Sequence, residues 1–341
     1  MRTVIPMFSC ALVLLSAVGH AEPGTRYHLA QEVAIPGDEG WDYLTYDSAA
    51  ARLFITHGTR VQVLDGSQLR LTGEIDETPG VHGVAIATDL GRGYITAGRA
   101  NSLIVFDLKT LAVLARIPTS GDGPDALVYE PSTHRVLTFN GRGRNVSVID
   151  TRKNEVIGTI PLDAKPEAAE TDGAGHVYVD LEDKNSVAAI DAEHMTIAAV
   201  WPLTGCDEPS AIALDAAAHR LFSACDKAMA ILDTTSGKQI ATLAIGSGID
   251  SAAFDATTHL AFASGGDGTV TAVREINPDK YAVVQTIKTK SGARTMALDT
   301  RTHRLFLVTA KYGPRPAPTA DQPHPRPAIV PRSFELLVLE P

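Results

Sequence analysis

The sequence is built from one unit of four short apolar runs, which recurs along the chain. In the copy between Gly123 and Leu162 the runs cover 126–129, 135–139, 146–149 and 156–162, with turn-forming residues between them. Four such runs joined by tight connections predict an up-and-down antiparallel sheet. Because this sheet is apolar on both faces, it must pack between neighbours of the same kind.

Seven copies of the unit follow one another from residue 40 onward. The first strand of each copy, here called strand a, has its third residue at 42, 82, 125, 167, 210, 250 and 294, so that the steps are 40, 43, 42, 43, 40 and 44 residues. This period predicts an all-β, seven-bladed β-propeller with four-stranded antiparallel blades. The last copy lacks its fourth strand, and the alternating run at 29–35 is predicted to supply it and close the ring.

The first residues predict an exported protein. Residues 1–21 have the features of a cleavable signal peptide: Arg2, an apolar run at 11–18 that is too short to span a bilayer, and a small-x-Ala exit at Ala21. A single propeller domain is predicted over 22–341, in the periplasm or outside the cell. No later run is long and apolar enough to cross a membrane.

Charge and cysteine content limit the partners. The formal net charge of −10 repels phosphate backbones, and no basic stripe reverses it, so nucleic-acid binding is disfavoured. We expect a monomer that binds a small molecule or a protein. In an oxidising compartment Cys206 and Cys225 are predicted to form a disulfide, in preference to free thiols or a metal pair.

Several segments resemble a known repeat. Phe54-Ile55-Thr56-His57, YITA from Tyr94 and LTFN from Leu137 occupy one position of the unit, and NSLIVFD from Asn101 and RNVSVID from Arg144 occupy another. They resemble the YVTN-type, WD40-like repeat of secreted, YncE-like seven-bladed propellers, over nearly the whole mature chain. The resemblance implies the fold and a binding module without an established common reaction, since propellers carry many activities.

The face on which strand a starts and the second strand (strand b) ends is the predicted site. The side chains there surround the central channel and differ between copies, which is where specificity can reside. The candidate ligand-binding residues are Asp42, His57, His82, Asp125, Asn140, Glu167, Asp180, Asp250 and Arg294. Asp42, His82, Asp125 and Glu167 are the candidate ligands of one divalent cation. The alternative is a water-filled channel lined by solvated polar groups.

Four histidines between strands a and b have a simpler interpretation. His134, His219, His259 and His303 occupy one repeat position, and this recurrence favours turn chemistry over metal binding.

A proline-rich insertion at 311–332 interrupts the last copy. Seven prolines favour an extended, semi-rigid segment, and its basic residues outnumber its single acid. Such an arm beside an acidic ring is a candidate lid or docking segment, and Arg315, His324 and Arg326 are the residues assigned to it. The alternative is a tolerated surface loop.

Two functions are consistent with these features. The favoured one is a non-catalytic binding or scaffold propeller that recognises a small ligand, a cation or a protein at the acidic face. The alternative is a lactonase- or lyase-like enzyme, in which a cation polarises an ester or carbonyl and His57 or His82 acts as the base. No P-loop, zincin, nucleophile-elbow or covalent-haem motif is present in the sequence.

Overall fold

A computed structural model describes residues 26–317, 319, 325 and 327–341, so the predicted signal peptide lies outside the described residues. The described part of the chain is almost entirely β-structure, with two single-turn 3₁₀ helices at Thr88–Leu90 and Glu182–Lys184. A search of these residues finds no helix with the length and apolar character to cross a membrane.

The strands fall into groups that correspond to the sequence copies. The first half contains β1 (His28–Ala34), β2 (Trp41–Asp47), β3 (Arg52–His57), β4 (Arg60–Asp65), β5 (Arg70–Ile75), β6 (Val81–Ala87), β7 (Arg92–Ala97), β8 (Ser102–Asp107), β9 (Val113–Pro118), β10 (Pro124–Glu130), β11 (Arg135–Asn140), β12 (Asn145–Asp150) and β13 (Glu155–Pro161). The second half contains β14 (Pro166–Thr171), β15 (His176–Leu181), β16 (Ser186–Asp191), β17 (Thr196–Pro202), β18 (Ala211–Asp215), β19 (Arg220–Cys225), β20 (Ala228–Asp233), β21 (Gln239–Ala244), β22 (Ile249–Asp255), β23 (Leu260–Gly265), β24 (Thr269–Asn277), β25 (Lys280–Lys288), β26 (Met296–Asp299), β27 (Arg304–Thr309) and β28 (Glu335–Glu340).

Seven four-stranded antiparallel sheets form the blades. Blades one to six are consecutive groups of four, from β2–β5 to β22–β25, and blade seven has the order β26, β27, β28, β1. The N-terminal strand therefore completes the last blade, with His28 opposite Glu340 and Ala34 opposite Glu335. The predicted fold and ring closure are confirmed, and closure covers the edges that an open array would expose.

The core lies between adjacent blades because each blade is apolar on both faces. Phe54 of blade one meets Phe106 of blade two with ring centroids 5.9 Å apart, and Tyr46 stacks on Phe306 of blade seven at 5.1 Å. The second and third strands of each blade are mostly buried, the innermost strands mix buried and half-buried residues, and the fourth strands are the most exposed. Packing between copies thus positions the inner strands around the channel.

The disulfide is confirmed in blade five. Cys206 precedes β18 and Cys225 ends β19, with their Cα atoms 5.4 Å apart. Both are buried in the apolar cluster between blades four and five. The bond ties the entry of the inner strand to the end of the second strand.

The repeated histidines lie in tight turns, as their recurrence predicted. His134, His219, His259 and His303 have φ angles of 53°, 57°, 53° and 62°, in the left-handed region. His303 contacts buried Asp255 of the preceding blade through Nδ1 and Oδ2, 2.7 Å apart. His134 likewise lies near Asp89 of the preceding blade, so two of these turn histidines link neighbouring blades at the face opposite the predicted site.

Candidate cation-binding site at the channel mouth

A bulge at the start of strand a aims side chains at the channel. In blade one the pairing of β2 with β3 shifts between Trp41 and Leu44, and blades two, three and four shift at the same place. The backbone N–H of Asp42, which the bulge leaves unpaired, donates instead to Thr56 Oγ1 at 3.2 Å. The bulge thus places the third residue of strand a at the channel mouth.

Three predicted ligands meet at this mouth. His82 Nδ1 lies 2.6 Å from Asp42 Oδ2 and 3.4 Å from Asp125 Oδ1. One ligand atom from each of these residues lies within 4.8 Å of the other two, a spacing that one metal ion could span. All three side chains are partly exposed, so a solute could reach them.

Electrostatics at the mouth favour a cation. Burial, partly offset by His82, raises the pKa of Asp125 to about 6. Burial opposes charge on His82, but the hydrogen bond to Asp42 and the nearby carboxylates raise the pKa of the imidazole overall. The group therefore gathers negative charge that protons partly neutralise, and a metal ion could take their place.

The predicted site residues Glu167, Asp250 and Arg294 form ion pairs. Glu167 lies outside the three-residue group and pairs with Lys165 Nζ at 3.0 Å, and this ammonium also contacts Glu182. Burial and the charge of Asp125 still raise the pKa of Glu167 to about 7. Of the four predicted metal ligands, the structure therefore brings three together.

Asp250 and Arg294 form a second pair, with Nε and Oδ2 2.7 Å apart. Burial outweighs the attraction of Arg294 and raises the pKa of Asp250 to about 7. Two of the carboxylates around the mouth, those of Glu167 and Asp250, are thus paired with the basic side chains of Lys165 and Arg294.

Two predicted strand-end residues lie behind the mouth. His57 is fully buried, stacks on Phe334 at 4.3 Å, and its Nε2 lies 2.9 Å from the carbonyl oxygen of Glu39. Asn140 is also fully buried and donates to Asn145 Oδ1 at 2.7 Å. Neither lines the channel, because the final side chain of strand b points into the packing between elements.

Asp180 is one residue short of its strand end, because β15 runs to Leu181. It is fully buried and accepts a hydrogen bond from Ser223 Oγ at 2.6 Å, and its Oδ2 has no partner among the described residues. Burial raises its pKa well above the ordinary range. The expectation that it lines the channel is therefore wrong.

Sequence reasoning missed two residues of the channel. Tyr43 extends from blade one to the apolar cluster of blades three and four, and lies close enough to Asp125 and Glu167 for their charges to raise its pKa. That increase comes first from burial. Glu170 lines the channel further in. The aligned repeats could have revealed both residues. The other copies have small residues at the position of Tyr43 and no acid at the position of Glu170.

The insertion is rooted beside the mouth. Tyr312 forms an antiparallel β-bridge with Ile329. Its ring centroid lies 6.2 Å from that of Trp41, the residue before Asp42. The backbone N–H of Arg332 donates to Asp38 Oδ1 at 2.6 Å. Arg315 is exposed, whereas His324 and Arg326 lie outside the described residues.

A second group of metal-ligand type lies at the opposite face. Asp215, His259 and Glu275 come within the same distance of one another. The corresponding contact in the next blade, between His303 and Asp255, joins two turns. This recurrence favours a structural role, and it makes the group a useful control for the mouth.

Comparisons with known proteins support the fold. No protein-family model and no curated protein matches the chain. A structure of U3-55K and a crystal structure of RRP9 WD40 repeats each align with a TM-score of 0.74 and 12% identity, over 90% of this chain and 97% of theirs. A structure of Kuenenia stuttgartiensis hydrazine synthase aligns with a TM-score of 0.67 and 16% identity, over 80% and 94%.

At such identities the likeness shows architecture alone. The chain is a seven-bladed β-propeller with WD40-like structural neighbours. Its acidic mouth is defined by its own residues, and the function has to be argued from them.

Proposed function

We propose that the protein is an exported, YncE-like binding propeller that holds one divalent transition-metal ion between Asp42, His82 and Asp125. The position of His82 Nδ1 carries this proposal, because it lies 2.6 and 3.4 Å from two carboxylate oxygens. A proton on Nδ1 can bridge the two carboxylates, and a metal ion replacing that proton would gain all three atoms as ligands.

The donor set selects the kind of ion. One imidazole with two carboxylates suits Zn²⁺ or a similar transition metal, whereas Ca²⁺ prefers six or more oxygen ligands. Three protein ligands leave a coordination position open. A carboxylate or carbonyl of a small ligand or a protein partner could fill it, so the metal would be a recognition element.

Two further features support the proposal of an exported protein with a covered mouth. The buried disulfide between Cys206 and Cys225 suits an oxidising compartment. The insertion that carries Arg315 is anchored next to Asp42 through Trp41 and Tyr312, which suits a lid over the acidic face. Neither feature selects a ligand by itself.

The direct test is Zn²⁺ binding to the purified mature chain. Saturating Zn²⁺, at about 100 times its Kd, should stabilise the fold by about 2.7 kcal/mol, which for a protein of this size is a rise in Tm of about 4 °C. Asp125→Asn should abolish the rise and the calorimetric signal of binding. His259→Gln, in the similar group at the opposite face, is the matched control and should retain both.

Protonation gives an internal check. Because the pKa of Asp125 is raised to about 6 and that of His82 is also raised, protons compete with the metal. Zn²⁺ affinity should fall steeply as the pH drops from 7 to 5. Binding that is unchanged in Asp125→Asn, or lost equally in His259→Gln, would contradict the proposed site.

The second candidate, a metal-dependent hydrolase, is favoured by the coordination position that three protein ligands would leave open for a water molecule. Burial lowers the pKa of His57 and hides it from the channel, and His82 would hold the metal through Nδ1, so neither histidine would be free to act as the base. Hydrolysis of simple lactones by the Zn²⁺-loaded protein, lost in His82→Gln, would establish the enzyme. Metal binding without turnover supports the binding propeller.

A further inference from the structure

The channel contains a cavity that is distinct from the metal-ligand group. It has a volume of about 480 Å³, within the range of small-molecule sites, and strands a of all seven blades line it. Asp42, His82 and Asp125 are not among its lining residues. Tyr43 lines it and also lies close to the mouth carboxylates, so this side chain stands between the two compartments.

The wall of the cavity is about half apolar and half polar. At the fifth position of strand a, the bulky residues include Leu127, Ile212 and Met296, whereas blades four and six have Ala169 and Ala252. These alanines fill less of the channel than the bulky residues at the same position. The apolar part of the wall suits the hydrocarbon part of a ligand.

The hydroxyl groups of the wall are used within the protein. Thr45 Oγ1 donates to the carbonyl of Val84 at 2.7 Å, and Ser251 Oγ donates to the carbonyl of Met296 at 3.1 Å. Thr171 Oγ1 donates to the carbonyl of His176. These contacts of the threonine and serine hydroxyl groups fix strands and blades to one another, and the carboxylates are the charged groups of the wall that can bind a polar ligand.

Glu170 is the acid of the cavity wall for which the described residues provide no counter-ion. The other acid of the wall, Asp250, pairs with Arg294. Among the described residues, no lysine, arginine or histidine lies within 4.0 Å of the Glu170 carboxylate oxygens. Burial outweighs a hydrogen bond from the Thr171 backbone and raises the pKa of Glu170 to about 7.

The blade does not require this acid. The equivalent residues of the other blades are Thr45, Ala85, Val128, Ala213, Ala253 and Ala297. Placing a carboxyl group where an alanine suffices is unfavourable unless the group is protonated or a positive group joins it. Above the raised pKa an anionic ligand would be repelled, and a neutral ligand would leave the negative charge unbalanced.

We propose that this cavity is a second binding site, for a primary amine with an apolar body, whose ammonium group pairs with Glu170. The hydrocarbon part would lie against Leu127, Ile212 and Met296. The site is independent of the metal proposed at the mouth, because Tyr43 separates the two and no residue of the Asp42, His82 and Asp125 group takes part.

Calorimetric titration of the mature chain with hexylamine at pH 8 tests this proposal, with hexanol and hexanoate as neutral and anionic comparisons. The amine should bind saturably, about tenfold or more tightly than the alcohol, because of the charge-assisted bond. Glu170→Gln should reduce amine affinity to that of the alcohol. Glu193→Gln, which removes an exposed charge from the same blade, should change nothing.

A second variant and a competition separate this site from the mouth. Ala169→Leu fills the cavity without changing charge and should weaken the amine and the alcohol together. Zn²⁺ should not displace the amine, and Glu170→Gln should keep its Zn²⁺ binding. Unchanged amine affinity in Glu170→Gln, displacement by Zn²⁺ or absence of saturable amine binding would each overturn the proposal.

Discussion

Replacing Glu170 by glutamine should change how the stability of the protein depends on pH. The side chain has an ordinary pKa near 4.5 when the chain is unfolded and about 7 when it is folded. Between these values the unfolded chain releases a proton that the folded protein keeps. The contribution of Glu170 to the free energy of unfolding is therefore fully present at low pH and is lost as the pH rises through the folded pKa of about 7.

The size of the effect follows from the two pKa values. Each tenfold change in the acidity constant corresponds to about 1.4 kcal/mol, so the wild-type protein should lose about 3 kcal/mol in all. About 2.5 kcal/mol of that loss falls between pH 5 and pH 8. The glutamine variant has no proton to release, so its stability relative to the wild type should increase by that amount over this range.

Urea unfolding at pH 5 and pH 8, followed by the fluorescence of Trp41 and Trp201, measures the difference. Titration of the other acids, including Asp125 and Asp250, occurs in both proteins and cancels in the comparison. Glu193→Gln, at an exposed position, should keep the wild-type dependence. If Glu170→Gln also keeps it, Glu170 is not held in a low-dielectric channel, and the reasoning about the cavity fails with it.

Two other predictions concern the disulfide and the insertion. Changing Cys206 and Cys225 together to serine should lower the free energy of unfolding by about 3 kcal/mol, since the bond closes a loop of 19 residues, and urea unfolding with and without reductant measures this. Deleting residues 314–327 should leave the circular dichroism spectrum and cooperative melting intact, because the bridge between Tyr312 and Ile329 and the contact of Arg332 with Asp38 remain. Loss of cooperative melting would refute the assignment of the insertion as a lid.

The fold was readable from the sequence because each copy repeats the same alternation. Turn residues separate the apolar runs, and a period near 42 residues leaves ring closure as the way to bury seven such sheets. The run at 29–35 could be assigned to the last blade because that copy lacked one strand. The structure confirms this through the pairing of His28 with Glu340.

The site was only partly readable, and the reason is the bulge in strand a. Alternation along a strand predicts which side chains share a face, but an inserted residue changes the direction of those that follow. The third positions, including Asp42 and His82, were found because the copies could be aligned there. Tyr43, adjacent to the bulge, could not be placed in the channel by alternation. Asp180 was misplaced by one residue at the end of its strand.

The ion pairs of Lys165 could not be predicted from the sequence for a different reason. It stands where most copies have glycine, and its side chain reaches both Glu167 and Glu182. The sequence shows the departure from the repeat but not the direction of a long, flexible side chain. Removing Glu167 from the predicted metal ligands therefore required the structure.

Asp180, which is buried, and Glu170, which is half-buried in the channel, are two acids that depart from the repeat, and they differ in their contacts. Asp180 stands at the register where Thr96 and Ser264 donate hydroxyl groups to carbonyls of the following blade. It accepts a hydrogen bond from Ser223 of the following blade, and burial raises its pKa, so it also joins two blades at this register, although as the acceptor. Glu170 has no such contact, and residues as small as alanine occupy its register elsewhere. The contact of Asp180 is thus one of packing between blades, whereas Glu170 is the acid for which we propose a ligand.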